Sequence, residues 1–487
     1  MKKLRELLSD TIVYGISSVL ARFIGYLLVP LHTSAFEPSQ YGVVSLVYAG
    51  LAFLNVIFTF GMESAYLRYA KDRSKARNVF KTLQLGLGGG STLLVVLLAL
   101  FSPYLMPTMN LTSTGNQQLY WMMLGILWFD TMVLIPFAEL RLVRRQWLFA
   151  IIKTGNIVVN VGLQFYLILE LQWGIEAVFL SSLIASGLTA AILWIITAPM
   201  LKGHWKTPAF RKALHFGLPF VPAGLGFVIN EMLDRFFLAN YLSQSTVSRL
   251  YGPDMVPDDV VGIYSAAYKA AVFMLLFVQM FRMAWQPFFL READNPEAPA
   301  IYRDVFRYFN LIAGICFLVV ALFIKQIVQI KIPFLNVHLI GEEYWSGLTV
   351  VPLLLVAYWF HGWYMNFSAG IFIKEKTKIL PVITLFGAVI TIVFNLLLIP
   401  FFGMMGAAVA TVISYFAMAL FLYIKSTKVY RVDYQLFRAF AMIILVVGCL
   451  IAKPYLKTFF SGEWTSRIIL LSLGTLGLLI LTLKKTK

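Results

Sequence analysis

Long apolar runs separated by short polar connections are the pattern of this chain from end to end. The runs reach about 18 residues or more, a length at which a segment reads as a membrane-crossing helix rather than a buried core helix. Fourteen spans are predicted, at about 11–36, 43–69, 79–101, 118–140, 148–170, 174–199, 213–241, 260–285, 305–330, 346–373, 379–402, 404–424, 436–452 and 467–483. The longest connections, about 242–259, 286–304 and 331–345, are too short to form a separate domain. Composition agrees. Of the 487 residues 60% are hydrophobic and 13% charged, and the mean hydropathy is +0.80; soluble domains run at about 45–50% apolar. An all-α polytopic membrane protein is expected. The basic opening "MKKLRELLSD" precedes an apolar run too long for a signal segment and without a small-residue cleavage site, so no cleavable leader is expected.

The halves of the chain repeat. Gly42-Val-Val-Ser45-Leu-Val-Tyr48 returns as Gly262-Ile-Tyr-Ser265-Ala-Ala-Tyr268, G-x-x-S-x-x-Y after a shift of 220 residues. Span 1 aligns on span 7, Gly15 on Gly217 and Ala21 on Ala223, and "LQWGIEAVFLSSLIAS" at 171–186 matches "PFFGMMGAAVATVISY" at 400–415. Each repeat holds six spans, and an even number returns the chain to its starting side. This predicts two parallel six-helix lobes, 1–212 and 213–425, related by an axis along the membrane normal, with two additional C-terminal helices in 426–487. Substrate sites of such transporters lie between the repeats near the midplane.

The formal charge of +17 would suit a nucleic-acid binder, but its distribution does not. With both termini cytoplasmic, 31 of the 40 lysines and arginines fall on the cytoplasmic side, six outside and three at depth. The cytoplasmic set includes "KDRSKAR" at 71–77, "RLVRR" at 141–145, "KGHWKTPAFRK" at 202–212, "KEKTK" at 374–378 and "KSTKVYR" at 425–431. That bias is the positive-inside signature of a multi-pass protein, so membrane lipids rather than nucleic acid are the expected surroundings. Cys316 and Cys449 lie in apolar runs and read as buried apolar side chains, not a disulfide. No metal motif, nucleotide loop or catalytic constellation is present in the sequence; "GLGGG" at 86–90 lacks the Lys-Ser/Thr of a phosphate loop and reads as close helix packing. Neither a cofactor nor an enzymatic activity is expected.

Charges at membrane depth mark candidate chemistry, because each costs about 2.5–3.5 kcal/mol on insertion scales. Arg22 sits at the centre of span 1 and aligns with Gly224 in the repeat, so the fold itself does not demand an arginine there. Lys269 lies roughly nine residues into span 8, too deep for easy snorkelling. Arg235 is shallower, with Glu231 four residues and Asp234 one residue before it, and a Glu-to-Arg i,i+4 pair is a sufficient structural reason for it. Asp130, midway along span 4, either neutralises Arg22 or carries a proton. Glu63, Arg68, Glu139 and Arg141 read as interfacial ion pairs, His361 as a packed histidine, and Asn55, Asn156, Asn160, Asn230 and Asn395 as hydrogen bonds between helices. In span 7, Pro219 and Pro222 remove two ladder donors and Gly224 and Gly226 follow, so a hinge is expected there.

The stretch "TIVYGISSVLARFIGYLLVPLHTSAFEPSQYGVVSLVYAGLAFLNVIFTFGMESAYLRYA", with "LPFVPAGLGFVINEMLDRFFL" and "VGIYSAAYKAA" farther on, resembles the bacterial polysaccharide flippases of the Wzx type over roughly residues 5–430. These are similar to MviN-type lipid II flippases and to MATE exporters. The resemblance implies a V-shaped pair of lobes and a cationic central cavity, to which Arg22, Lys269 and Arg235 would contribute. It implies alternating-access transfer of an undecaprenyl-pyrophosphate-linked glycan across the bacterial cytoplasmic membrane, with glycan assembly machinery as a candidate partner. Fourteen spans rather than the usual twelve look more like the lipid II flippases, in which the extra pair forms a groove for the lipid tail. A small-molecule:cation antiporter is the other transporter reading. A glycan polymerase or ligase would need a sizeable outer domain, and the outer loops are too short.

Overall fold

The computed structural model describes residue 26 and residues 28–113, 115–333, 335–459 and 463–483. Of span 1 as expected, residue 26 and residues 28–36 are described; residues 11–25, Arg22 included, and residue 27 lie outside the described residues. The rest is all-α apart from a two-residue antiparallel ladder, β1 (Lys331–Ile332) with β2 (Val337–His338), in the connection after span 9. Contacts divide the chain into two units, Met1–Asn240 with Val256–Gly262, and Tyr241–Met255 with Ile263–Lys487.

The first unit holds α1 (Leu28–Ala35), α2 (Pro38–Thr59), α3 (Met62–Tyr69), α4 (Ala76–Leu100), α5 (Ser102–Thr108), α6 (Gln117–Met132), α7 (Leu134–Leu142), α8 (Gln146–Phe165), α9 (Glu176–Thr197), α10 (Thr207–Gly217) and α11 (Phe220–Tyr241). Helix α2 starts with Pro38 in its first turn, under a capping box in which Glu37 and Gln40 exchange bonds. It ends at Phe60 and Gly61, both with positive φ, before α3 resumes. The core gathers Tyr66, Phe80, Leu83, Leu87 and Ile135 from α3, α4 and α7.

The second unit holds α12 (Gln244–Tyr251), most of α13 (Pro257–Ala270), α14 (Val272–Arg291), α15 (Ala298–Val328), α16 (Val351–Ile373), α17 (Ile379–Thr427), α18 (Leu436–Phe459) and α19 (Glu463–Leu483). Its core is aromatic. The buried Trp359 and Trp363 both donate their indole N–H to Asn310 Oδ1, at 2.8 and 2.7 Å, and Asn310 Nδ2 donates to the carbonyl of Phe306. One buried amide therefore fixes two large rings, since each polar atom at this depth needs a partner.

Twelve helical stretches among the described residues are long and apolar enough to cross a membrane. Each falls on a predicted span. The 49-residue α17 covers two of them, bending at Gly403, where φ is 53° and ψ −128°; a non-glycine residue would be strained there. The bend leaves carbonyls unpaired, and α12 takes them up. Thr246 donates to the carbonyl of Pro400, Arg249 to that of Phe401, and the amide of Met404 donates to Tyr251 Oη. Span 8, expected as one helix over 260–285, is interrupted at Ala271 between α13 and α14. Span 9 begins at Ala298 rather than near 305, because Pro299 is tolerated in a first helical turn. Cys316 and Cys449 are free, and both are half-buried rather than fully buried as expected.

The glycines of the repeated motif meet. A Cβ on Gly42 of α2 would collide with the carbonyl oxygen of Asp258, and one on Gly262 of α13 with that of Pro38; each glycine also lies against the amide nitrogen of the other. Backbones approach this closely only where neither helix carries a side chain.

Candidate functional site

Helix α11 carries four polar residues on its buried face, Asn230, Glu231, Asp234 and Arg235, each at most 9% exposed. The guanidinium of Arg235 donates to Asp234 Oδ1 at 2.7 Å and to the main-chain oxygen of Glu231 at 2.6 Å, while Asp234 Oδ1 also accepts the Arg235 amide N–H. The expected Glu231-to-Arg235 contact thus runs through the Glu231 carbonyl, and Asp234 supplies an ion-pair partner. Tyr41, buried on α2, lies within electrostatic reach of Arg235.

A polar ladder follows the packing of α8 on α9. His32 Nε2 meets Gln164 Oε1 at 2.7 Å, Gln164 Nε2 donates to Asn160 Oδ1 at 2.6 Å, and Asn160 Nδ2 donates to Ser182 Oγ at 3.2 Å. One turn away Asn156 donates to Thr189 Oγ1. Asn156, Asn160 and Gln164 stand at four-residue spacing, one helical face, and sequence reasoning took only the two asparagines from it. Asp130 accepts a 2.7 Å bond from Ser186 Oγ, with Lys153 near enough to interact with its charge. Ser186 and Lys153, 56 and 23 positions away along the chain, were not foreseen as its neighbours. Glu139, 5% exposed, accepts from Tyr66 Oη at 2.6 Å and from both terminal nitrogens of Arg73 at 3.0 and 2.5 Å. Arg141 pairs with Glu63, and Arg68 lies 4.6 Å from the Phe216 ring centroid. The interfacial ion pairs expected from Glu63, Glu139 and Arg141 are therefore present.

The remaining candidates are placed as follows. Lys269 is exposed in the last turn of α13, beside buried Tyr268. Arg282 on α14, which sequence reasoning passed over, is also exposed and interacts electrostatically with buried His361, whose ring stacks on Tyr364 and lies edge-on to Tyr415. Leu218 and Pro219 form the break between α10 and α11, Pro222 is exposed in the first turn of α11, and Gly224 faces Val56 of α2. Among the described residues no His, Cys, Asp and Glu cluster could hold a metal ion. The first unit thus offers acids and amides linked by hydrogen bonds, suited to cation or proton exchange, and the second offers exposed cations on α13 and α14, suited to an anion.

Solved structures of two transporter classes share this architecture. A structure described as lipid II flippase MurJ, inward closed conformation, superposes with a TM-score of 0.73 at 16% identity, covering 96% of this chain and 98% of that one. An inward-facing multidrug resistance MATE family transporter of the MOP superfamily gives 0.63 at 16% identity, covering 86% and 94%. A second MATE structure, in the straight conformation, gives 0.56 at 15%, covering 86% and 94%. No curated protein matches the sequence. The fold is the one that these solved polytopic membrane transporters share. The sequence profile of the family described as polysaccharide biosynthesis protein matches residues 7–292, more than half of the chain, and the chain belongs to that family.

Proposed function

We propose that this protein flips an undecaprenyl-pyrophosphate-linked saccharide across the cytoplasmic membrane by alternating access, with no enzymatic step. The observation that carries the reading is the family match over residues 7–292, in a fold shared with a lipid II flippase along nearly its whole length. In this reading Arg22 grips the pyrophosphate, because a planar guanidinium offers a two-pronged donor to phosphate oxygens. Lys269 adds a second positive charge. Arg235 joins only on release from Asp234 and the Glu231 carbonyl, its partners in the present state. Asp130, Glu231 and Asp234 are the candidates for coupling to a proton or cation.

The test is complementation of a flippase-deficient strain. Arg22→Ala at matched membrane abundance should lose most transport, and Arg22→Lys should keep part of it, since the charge survives without the fork. Full activity of Arg22→Ala would remove the arginine from the mechanism. Lipid II is the second substrate reading, supported by the match to a lipid II flippase that covers 96% of this chain; rescue of a strain lacking its lipid II flippase would favour it.

A further inference from the structure

Three arginines line a single void in the second unit. Arg303 and Arg307 stand one turn apart near the start of α15, Arg438 stands in the first turn of α18, and together they border a narrow cleft open to solvent. Asp304 is the acid beside them, 3.3 Å from Arg303 Nε and 3.5 Å from Arg307 Nη2, and it offsets one of the three charges. Arg307 Nε and Arg438 Nη1 are buried and have no hydrogen-bond partner. Buried guanidinium donors without an acceptor are costly, and an oxyanion in the void would relieve both. Two other polar groups there are already engaged: Asn310 holds Trp359 and Trp363, and Tyr434 donates to the carbonyl of Asn366. The amino-terminal end of α18 adds the positive end of its dipole.

The void also has an apolar wall, from Phe306 and from Ala439 and Met442 of α18. It sits where two membrane helices begin, next to the basic segments at 374–378 and 425–431, with Lys374 5.9 Å from the Tyr430 ring centroid and Tyr302 6.1 Å from that ring. A cationic head over an apolar floor at headgroup depth matches basic pockets between membrane helices that take acidic lipid headgroups. We propose that this void binds the phosphate group of an anionic phospholipid, gripped between α15 and α18, so that lipid ties the first of the two extra helices to the repeat. The site does not involve Arg22 or Lys269 and stands whether or not the flippase reading does.

Native mass spectrometry of the purified full chain tests it, with phosphatidylglycerol as the probe and inorganic phosphate as the soluble alternative. Phosphatidylglycerol should be retained by the unmodified chain and bind about tenfold or more weakly to Arg307→Gln and to Arg438→Gln. Arg438→Lys, which keeps the charge and loses the fork, should weaken it less, and it serves as the readout if a glutamine variant does not fold. Equal binding by all three variants overturns the site. Displacement of the lipid by equimolar inorganic phosphate overturns the lipid as its occupant and assigns the arginines to a soluble anion.

Discussion

Glu139 shows what one side chain contributes at this depth. Its carboxylate is nearly inaccessible and is satisfied by Tyr66 and both arms of Arg73, whose own side chain is 47% exposed. Breaking a buried pair costs about 3–5 kcal/mol, and the exposure of Arg73 reduces that. Glu139→Gln should therefore destabilise the first unit by about 1–3 kcal/mol, read as a lower unfolding midpoint in detergent; an unchanged midpoint would mean that the pair is fully screened. The sequence marked Glu139 as an ion-pairing residue, because a carboxylate at the end of an apolar run needs a partner. It could not name Tyr66 and Arg73, which lie 73 and 66 positions away. Asn310 was passed over for the same reason. Its importance comes from two tryptophans 49 and 53 positions farther on, and in sequence it is one amide in an apolar run.

At the scale of the helix, legibility followed backbone chemistry. Gly403, left out between spans 11 and 12 in the sequence reading, is the residue at which α17 bends. Pro219 falls in the break before α11. Glycine and proline act on their own backbone, so their effect can be read without knowing the neighbours. The interruption at Ala271 has neither residue and was not foreseen. Whether the break at Pro219 works as a hinge is testable: replacing Pro219 and Pro222 together with alanine should join α10 to α11 and slow transport severalfold, with folded protein unchanged. Unaltered turnover in the double variant would place the hinge elsewhere.

For the whole chain, the apolar period was informative, and contacts between distant segments were not. The apolar rhythm located every described crossing, and a repeat of six spans was visible in short motifs. Contacts draw their boundary after Asn240 and not after 212, because α11 packs with the first unit. A repeat records which segments are alike, whereas a contact boundary records which ones touch. The bias of basic residues predicts both termini inside. Single cysteines at exposed Ser113 and Thr377 should then label from opposite faces, Ser113 from outside and Thr377 from inside; labelling of both from one face would refute the orientation.

The meeting of Gly42 with Gly262 closes a route that most contacts leave open. When two side chains press together, enlarging one can be accommodated by trimming the other. Here each glycine is opposed by main-chain atoms, and a backbone cannot be trimmed. A methyl group added at either position has no second-site suppressor in its partner, so the two copies of the motif are bound to keep the same residue as the sequences around them drift apart.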